Sequence, residues 1–299
     1  MRKRIYSLLT LLLLGVYFYV QKIRKTNFLL HEIEELSISF SSSFLIFLII
    51  YITSLLLFVI ISSYLLLLIK LNKQTFLEKH YFCFSSIKKK SNQKILFIIS
   101  LAFTGSGLLS LKNHFIFPIL ANLLWEILII FILLKFFSKK DLGLFLKNFY
   151  PHRILTIYGG FLLTFVFLAL LNYLILGKRE EINPVVPLFL LKKNPLLEFL
   201  LALQIIFLGP FSEEILFRGF IFSWLRTKFT PFLSASLISL IFSTLHFLPS
   251  QFLPIYALSM LLCFIYERTH NLTNCIFLHA FHNFLVFIPL LFLKFFAIH

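Results

Sequence analysis

A small set of ionisable and amide side chains near the C-terminal end of the sequence could perform chemistry in an apolar setting. These residues are Glu213, Glu214, Arg218, His246, His279 and Asn283. Carboxylates and imidazoles can take a proton from water, and an amide can stabilise an oxyanion without adding a buried charge. A charge in hydrocarbon is costly, so such groups are retained where they have a partner or a task. We therefore predict a hydrolytic site inside a membrane, with the catalytic residues Glu213, His246, His279 and Asn283.

The acidic pair lies in a long apolar run that contains its own helix-breaking signal. Gly209-Pro210 comes just before the pair, so we predict a discontinuous helix, with Ser212 capping its second half. Glu214 and Arg218 are four residues apart and share a helix face, which predicts a structural ion pair. Glu213 lies about 100° further round the helix and is predicted to point into a cavity.

Two further apolar runs bring the remaining polar groups. His246 ends one run, and His279 and Asn283 are four residues apart in the last run, on one helix face. Three helices that each contribute polar groups are typical of a site inside a bundle. Each group taken alone could instead stabilise helix packing. The role of Glu126 stays open between an interhelical contact and support of the site. No role is assigned to His282.

Composition defines the protein class. The chain has 299 residues, is 60% hydrophobic and has a mean hydropathy of +0.95. Soluble domains are nearer about 45–50% apolar, so we predict an integral membrane protein of the all-α class, a polytopic transmembrane helix bundle. The predicted spans are about 5–20, 44–69, 95–111, 115–134, 154–176, 197–225, 232–248, 254–266 and 272–293. Two of them, 5–20 and 254–266, are short, so eight to nine spans are expected.

The basic residues indicate orientation and partners. The predicted inner connections hold 18 Lys and Arg residues and the outer ones nine, which predicts a cytoplasmic N-terminus. Because these residues lie between apolar runs, membrane lipids are the expected partner and nucleic acid is not. The composition favours a bacterial inner membrane. We divide the one membrane domain into a variable part, 1–195, and a catalytic core, 196–293.

The ordered motifs resemble a known family. Glu213-Glu214-x-x-x-Arg218, Phe242-x-x-x-His246 and His279-x-x-x-Asn283 together resemble the motif set of the CPBP intramembrane proteases. That family includes the CAAX prenyl endopeptidases of the Ras-converting type and the bacterial Abi proteins. The resemblance implies a helical bundle with a conical cavity. It also implies that Glu213 and His246 activate water and that His279 and Asn283 stabilise the oxyanion, while Glu214 and Arg218 hold the helices in place.

The sequence does not decide whether the site binds a metal ion. Glu213, His246 and His279 would supply the two histidines and one glutamate of a catalytic zinc site. However, the sequence lacks His-Glu-x-x-His, which would be an independent zinc signal. No cofactor is therefore assigned with certainty, and one divalent metal ion, zinc, is kept as an expectation.

The function predicted from these observations is an intramembrane endopeptidase that hydrolyses a peptide bond of a membrane-anchored peptide or protein. The alternative is a non-enzymatic membrane protein, such as an immunity or scaffold protein of the Abi type. A transporter is a third hypothesis, because broken helices and buried carboxylates are also found in transporters. The sequence lacks the internal repeat that many transporters show.

Overall fold

The structure is a computed structural model. It describes residues 116–137, 142–144, 149–176, 194–246 and 251–296, residues 139, 186, 189 and 190, and scattered helical positions between 46 and 64. The main helices of this described part are α1 (Ile116–Phe136), α2 (Pro151–Leu176), α3 (Pro195–Leu225), α4 (Pro231–Leu245), α5 (Phe252–Thr269) and α6 (Leu272–Phe296). The described residues contain no strand, which confirms the all-α prediction.

Within the described part of the chain, four helical segments are long and apolar enough to cross a membrane. They are Pro151–Leu171 in α2, all of α3, all of α5, and Leu272–Phe295 in α6. The 18-residue α5 is longer than the predicted run 254–266 and qualifies as a span. The predicted spans 5–20 and 95–111 lie outside the described residues. The total of eight to nine spans therefore stays a prediction.

Large apolar side chains cover the outside of the bundle. Phe232 of α4 exposes 74% of its surface, and Phe167 of α2 and Phe199 of α3 expose 61% and 63%. Apolar residues of this size are exposed along helices when lipid, rather than water, surrounds them. Together with the four spanning segments, this supports an integral membrane protein.

Local sequence signals explain where α3 and α4 begin. The Asn194 side chain accepts hydrogen bonds from the N–H groups of Leu196 and Leu197, and Pro195 takes the first helical position. Thr230 and Pro231 play the same parts for α4. A side-chain acceptor at the cap satisfies donors that have no partner within the helix, and proline lacks a donor that would need one.

The predicted break at Gly209-Pro210 is wrong. The helix α3 continues through both residues, and Gly209 has helical dihedral angles of φ −57° and ψ −60°. Instead, π-helical turns occupy Gln204–Leu208 and Ile215–Phe222. The Gly209 N–H donates to the Gln204 carbonyl, five residues back. This wider turn accommodates the proline without ending the helix, which is one way that proline is tolerated in membrane helices.

Ser212 also differs from its predicted role. Its hydroxyl donates to the Gly209 carbonyl at 3.0 Å, so it satisfies an acceptor inside a continuous helix rather than capping a new one. Ser223 acts in the same way at the second π segment, where its hydroxyl donates to the Arg218 carbonyl at 3.1 Å. Two carbonyl groups of the irregular helix therefore accept from hydroxyl side chains of the same helix.

The helix α5 lies at the centre of the described bundle. It packs against α2, α4 and α6 and contacts the second π segment of α3. Leu262, Cys263, Ile265 and Tyr266 on α5 are fully buried. The first π segment of α3 packs between α1 and α6. This arrangement brings the polar residues of α3 and α6 together inside the bundle.

Candidate active site

Glu214 links two charged or ionisable partners through one oxygen atom. Its Oε1 accepts a hydrogen bond from Nη1 of Arg218 at 2.8 Å and lies 2.8 Å from Nδ1 of His279. Both Glu214 and Arg218 are fully buried, and the His279 side chain is 5% exposed. Because a carboxylate oxygen can only accept, Nδ1 of His279 carries the hydrogen in this contact. Glu214 therefore orients the imidazole as well as pairing with arginine.

Arg218 is held by several neighbours besides the carboxylate. Its Nη2 donates to the hydroxyl of Ser259 at 2.8 Å and to the Ser259 carbonyl at 3.3 Å. Its guanidinium carbon lies 4.8 Å from the centre of the Phe242 ring, a cation–π contact. One arginine thus connects α3 with α4 and α5 and also pairs with the buried carboxylate of Glu214.

Glu213 is the more accessible carboxylate. Its side chain is 36% exposed, and its Oε2 lies 3.8 Å from Nε2 of His279. The two neighbouring glutamates therefore approach opposite nitrogens of one imidazole ring. Glu214 contacts Nδ1, and the partly exposed Glu213 lies on the Nε2 side of the ring. A partly exposed carboxylate beside an oriented imidazole can act as a base toward water.

His246 joins this group only indirectly. It caps the C-terminal end of α4, where its Nδ1 lies 2.7 Å from the carbonyl oxygen of Phe242. Its ring centre is 4.7 Å from that of Phe242, which is 6.0 Å from the His279 ring. Within the described residues, no hydrogen bond or ion pair joins His246 to Glu213 or His279. Because a carbonyl can only accept, Nδ1 is the protonated nitrogen and Nε2 keeps its lone pair.

Asn283 binds a backbone carbonyl. Its Nδ2 donates to the carbonyl oxygen of Ile205, in the first π segment, at 2.8 Å. This contact connects α6 with α3 one helical turn beyond His279. Since Ile205 offers an acceptor there, the amide must present its nitrogen to it.

Several supporting residues were not assigned from the sequence. Phe242 contacts Arg218, His246 and His279, and the spacing of its motif places it one turn before His246. Ser259 lies on α5, a helix that contributes none of the predicted motifs. No sequence signal pointed to Ser259, because its role depends on which helix packs against Arg218.

The two residues with open roles also have defined partners. Glu126 on α1 accepts a hydrogen bond from Nε2 of Gln204 at 3.1 Å, and the two lie in neighbouring helices. His282 is buried, and its Nδ1 lies 2.6 Å from the hydroxyl of Tyr158 on α2. Both contacts join helices. They place Glu126 beside the first π segment and His282 beside α2, outside the Glu214–His279 contact.

The three candidate zinc ligands do not form a ligand set as they are placed. Among the described residues, no group of three or more His, Cys, Asp and Glu side chains is arranged to hold a metal ion. Glu213 and Nε2 of His279 lie near each other, but among the described residues no hydrogen bond or ion pair joins His246 to either of them. A catalytic zinc site needs three protein ligands that converge on one point. Zinc binding stays a prediction from the sequence.

The polar contacts between α3 and α6 lie within a segment that resembles a known protease family. Residues 195–285 match the family model described as type II CAAX prenyl endopeptidase, Rce1-like. The resemblance predicted from the motifs is thereby confirmed for this segment. The CAAX endopeptidase-like segment includes all six predicted site residues and extends from α3 into α6. The match to a protease family supports an enzyme. Neither the curated proteins nor the solved structures gave a match to this chain.

Proposed function

We propose that this protein is an intramembrane endopeptidase that hydrolyses a peptide bond of a membrane-anchored substrate. The observation that carries the proposal is the placement of one imidazole, His279, between a buried and an accessible glutamate. A buried carboxylate that orients a histidine beside a reactive group recurs in hydrolytic sites. The family match supports the same reaction class. A bacterial inner membrane and a cytoplasmic N-terminus remain part of the proposal, as do lipids as partners.

In the proposed reaction, Glu213 takes a proton from a water molecule as the water oxygen attacks the carbonyl carbon of the scissile bond. A carbon–oxygen bond forms, and the carbonyl oxygen becomes an oxyanion. The carbon–nitrogen bond then breaks, and Glu213 returns the proton to the leaving amine. General acid–base catalysis of this kind contributes about 10²–10⁴-fold to a rate.

His279 and His246 have different parts in this proposal. In the proposal, His279 acts as an imidazolium that donates its Nδ1–H to Glu214 and its Nε2–H to the oxyanion. The Nδ1–H of His246 faces the Phe242 carbonyl, so in the proposal its Nε2 accepts a hydrogen bond from the same water while the proton itself passes to Glu213. Asn283 was expected to share the oxyanion. Its contact with Ile205 favours a different task.

The test is cleavage of two membrane reporters by purified protein in liposomes, one peptide anchored by a prenyl group and one by a transmembrane helix. Wild type should cleave at least one of them. Glu213→Gln should lower kcat by about 100-fold or more, because the general base is lost. The matched control is Glu267→Gln, since Glu267 is an ion-paired glutamate of α5 whose partner, Arg226, belongs to no predicted motif. It should stay within about twofold of wild type, as a substitution away from the site usually does.

Two results would count against the proposal. One is cleavage of neither reporter by folded wild-type protein, and the other is a Glu213→Gln variant as active as wild type. The second would remove Glu213 as the base and leave the activity in place. The first would favour the non-enzymatic alternative, which one observation supports. The contacts of Arg218, Glu214 and Asn283 all join helices, as they would in a scaffold.

A further inference from the structure

The carbonyl group of Ile205 has no backbone donor in the five-residue register of the π turn, because the donor position is occupied by Pro210. In the π turn before it, the Gly209 N–H donates to the Gln204 carbonyl, five residues back. The next donor in this register would be the N–H of residue 210, and its acceptor would be Ile205. Residue 210 is proline, which has no N–H. The side chain of Asn283 donates to that same carbonyl, at 2.8 Å.

The π turn is held on a second side as well. Gln204, the residue before Ile205, donates through Nε2 to Glu126 of α1 at 3.1 Å. Gln204 thus binds α1 through its side chain, and the next residue, Ile205, binds α6 through its carbonyl group. In hydrocarbon, no water is present to replace a missing partner of a backbone group. The turn therefore depends on these neighbours to keep its register.

The same pair of helices carries the proposed chemistry. Asn283 lies four residues after His279 on α6, and Ile205 precedes Glu213 on α3. The contact of Asn283 with Ile205 and the contact of His279 with Glu214 are two hydrogen bonds that join α3 to α6. A change in the first would alter the register or spacing at the second, where Glu213 and His279 are 3.8 Å apart.

We propose that Asn283 is a positioning residue, which replaces the backbone donor that Pro210 removes and thereby sets the distance between Glu213 and His279. As far as activity is concerned, this inference rests on the proposed protease function. The hydrogen bond itself does not, so stability can test it independently. The substitution Pro210→Ala supplies an N–H at the position where the donor is missing.

The first test is a stability cycle in an inactive Glu213→Ala background. The unfolding midpoint of the detergent-solubilised protein is measured with and without the substitution Asn283→Ala. The pair of measurements is made once with Pro210 present and once with Pro210→Ala. The loss of midpoint caused by Asn283→Ala should shrink by about half or more in the Pro210→Ala background, because the new N–H occupies the carbonyl. If the Asn283→Ala variant can be recovered in folded form only when Pro210→Ala is also present, that result supports the inference as well. Equal losses in both backgrounds, or no folded protein in either, overturn the inference.

The second test uses kcat and KM in the active protein. Asn283→Ala should lower kcat by about tenfold with Pro210 present, and by about threefold or less with Pro210→Ala, while KM stays unchanged. An equal loss of kcat in both backgrounds would mean that Asn283 acts directly on the reacting atoms, and the positioning role would be wrong. If wild type cleaves no reporter, the proposed function fails, and the stability cycle still decides this inference.

Discussion

Replacing Arg218 with methionine should strongly destabilise the protein. The change removes the guanidinium that pairs with Glu214 and keeps a side chain of roughly similar length. Glu214 is fully buried and would be left with His279 as its remaining hydrogen-bond partner. Removing one partner of a buried ion pair costs about 3–5 kcal/mol, because the other charge stays in a poorly solvating environment. That is a large share of a typical unfolding free energy of about 5–15 kcal/mol.

The contacts of Arg218 with Ser259 do not add to this figure. They belong to the same network as the ion pair, and contributions within a network are not additive. The double variant Glu214→Gln with Arg218→Met separates the charge effect from the lost packing. It removes both charges of the Glu214–Arg218 pair, and the Gln oxygen can still accept from Nδ1 of His279. We expect it to be more stable than Arg218→Met alone by about 2 kcal/mol or more.

The assay is reversible unfolding in mixed detergent, followed by tryptophan fluorescence, with Trp224 on α3 as one of the two reporters. Arg226→Met is the matched control, because Arg226 pairs with Glu267 through side chains that are 17% and 21% exposed. Its loss should be about 1 kcal/mol or less, as for other solvent-accessible pairs. The reasoning is refuted if Arg218→Met is no worse than Arg226→Met, or if the double variant is no more stable than Arg218→Met.

Two smaller predictions concern helix packing. Gly143→Ala should lower the free energy of unfolding by about 1–3 kcal/mol. Gly143 has φ +71°, and a Cβ there would lie 2.8 Å from the backbone carbonyl oxygen of His270. An unchanged unfolding midpoint would contradict this prediction. Tyr158→Phe should cost about 1–3 kcal/mol, since it leaves the buried Nδ1 of His282 without its partner. Tyr256→Phe, on α5, is its control and should have little effect; equal midpoints for both Tyr variants would argue against the Tyr158 contact.

Most of the helices could be predicted from the sequence because lipid imposes a simple rule. Apolar runs of about 20 residues form spanning helices, and the runs 154–176, 197–225 and 272–293 correspond to α2, α3 and α6. The path through Gly209-Pro210 could not be predicted in the same way. Proline ends most helices, and the π turn that keeps α3 continuous depends on contacts from α1 and α6. Such contacts are not visible in a local sequence pattern.

The arrangement of the candidate site was predictable only in part. Helical spacing correctly placed Glu214 and Arg218 within reach of each other, because that distance depends on one helix alone. Depth along neighbouring helices depends on tilt and on where each helix begins. The sequence therefore could not show that His279 would reach Glu214, or that His246 would contact Phe242. The sequence assigns Glu214 a structural ion pair with Arg218, and in the structure the same carboxylate also contacts Nδ1 of His279.

The adjacency of the two glutamates has a geometric reason. Side chains of consecutive helical residues point about 100° apart, and the two nitrogens of an imidazole also face different directions. Glu213 and Glu214 can therefore approach opposite sides of His279, at 3.8 Å and 2.8 Å. A pair spaced by four residues would lie on one face and could not do so. The buried glutamate pairs with Arg218, whereas the side chain of Glu213 is 36% exposed. In the proposed reaction only the accessible glutamate exchanges a proton with water, so two identical side chains would have different tasks.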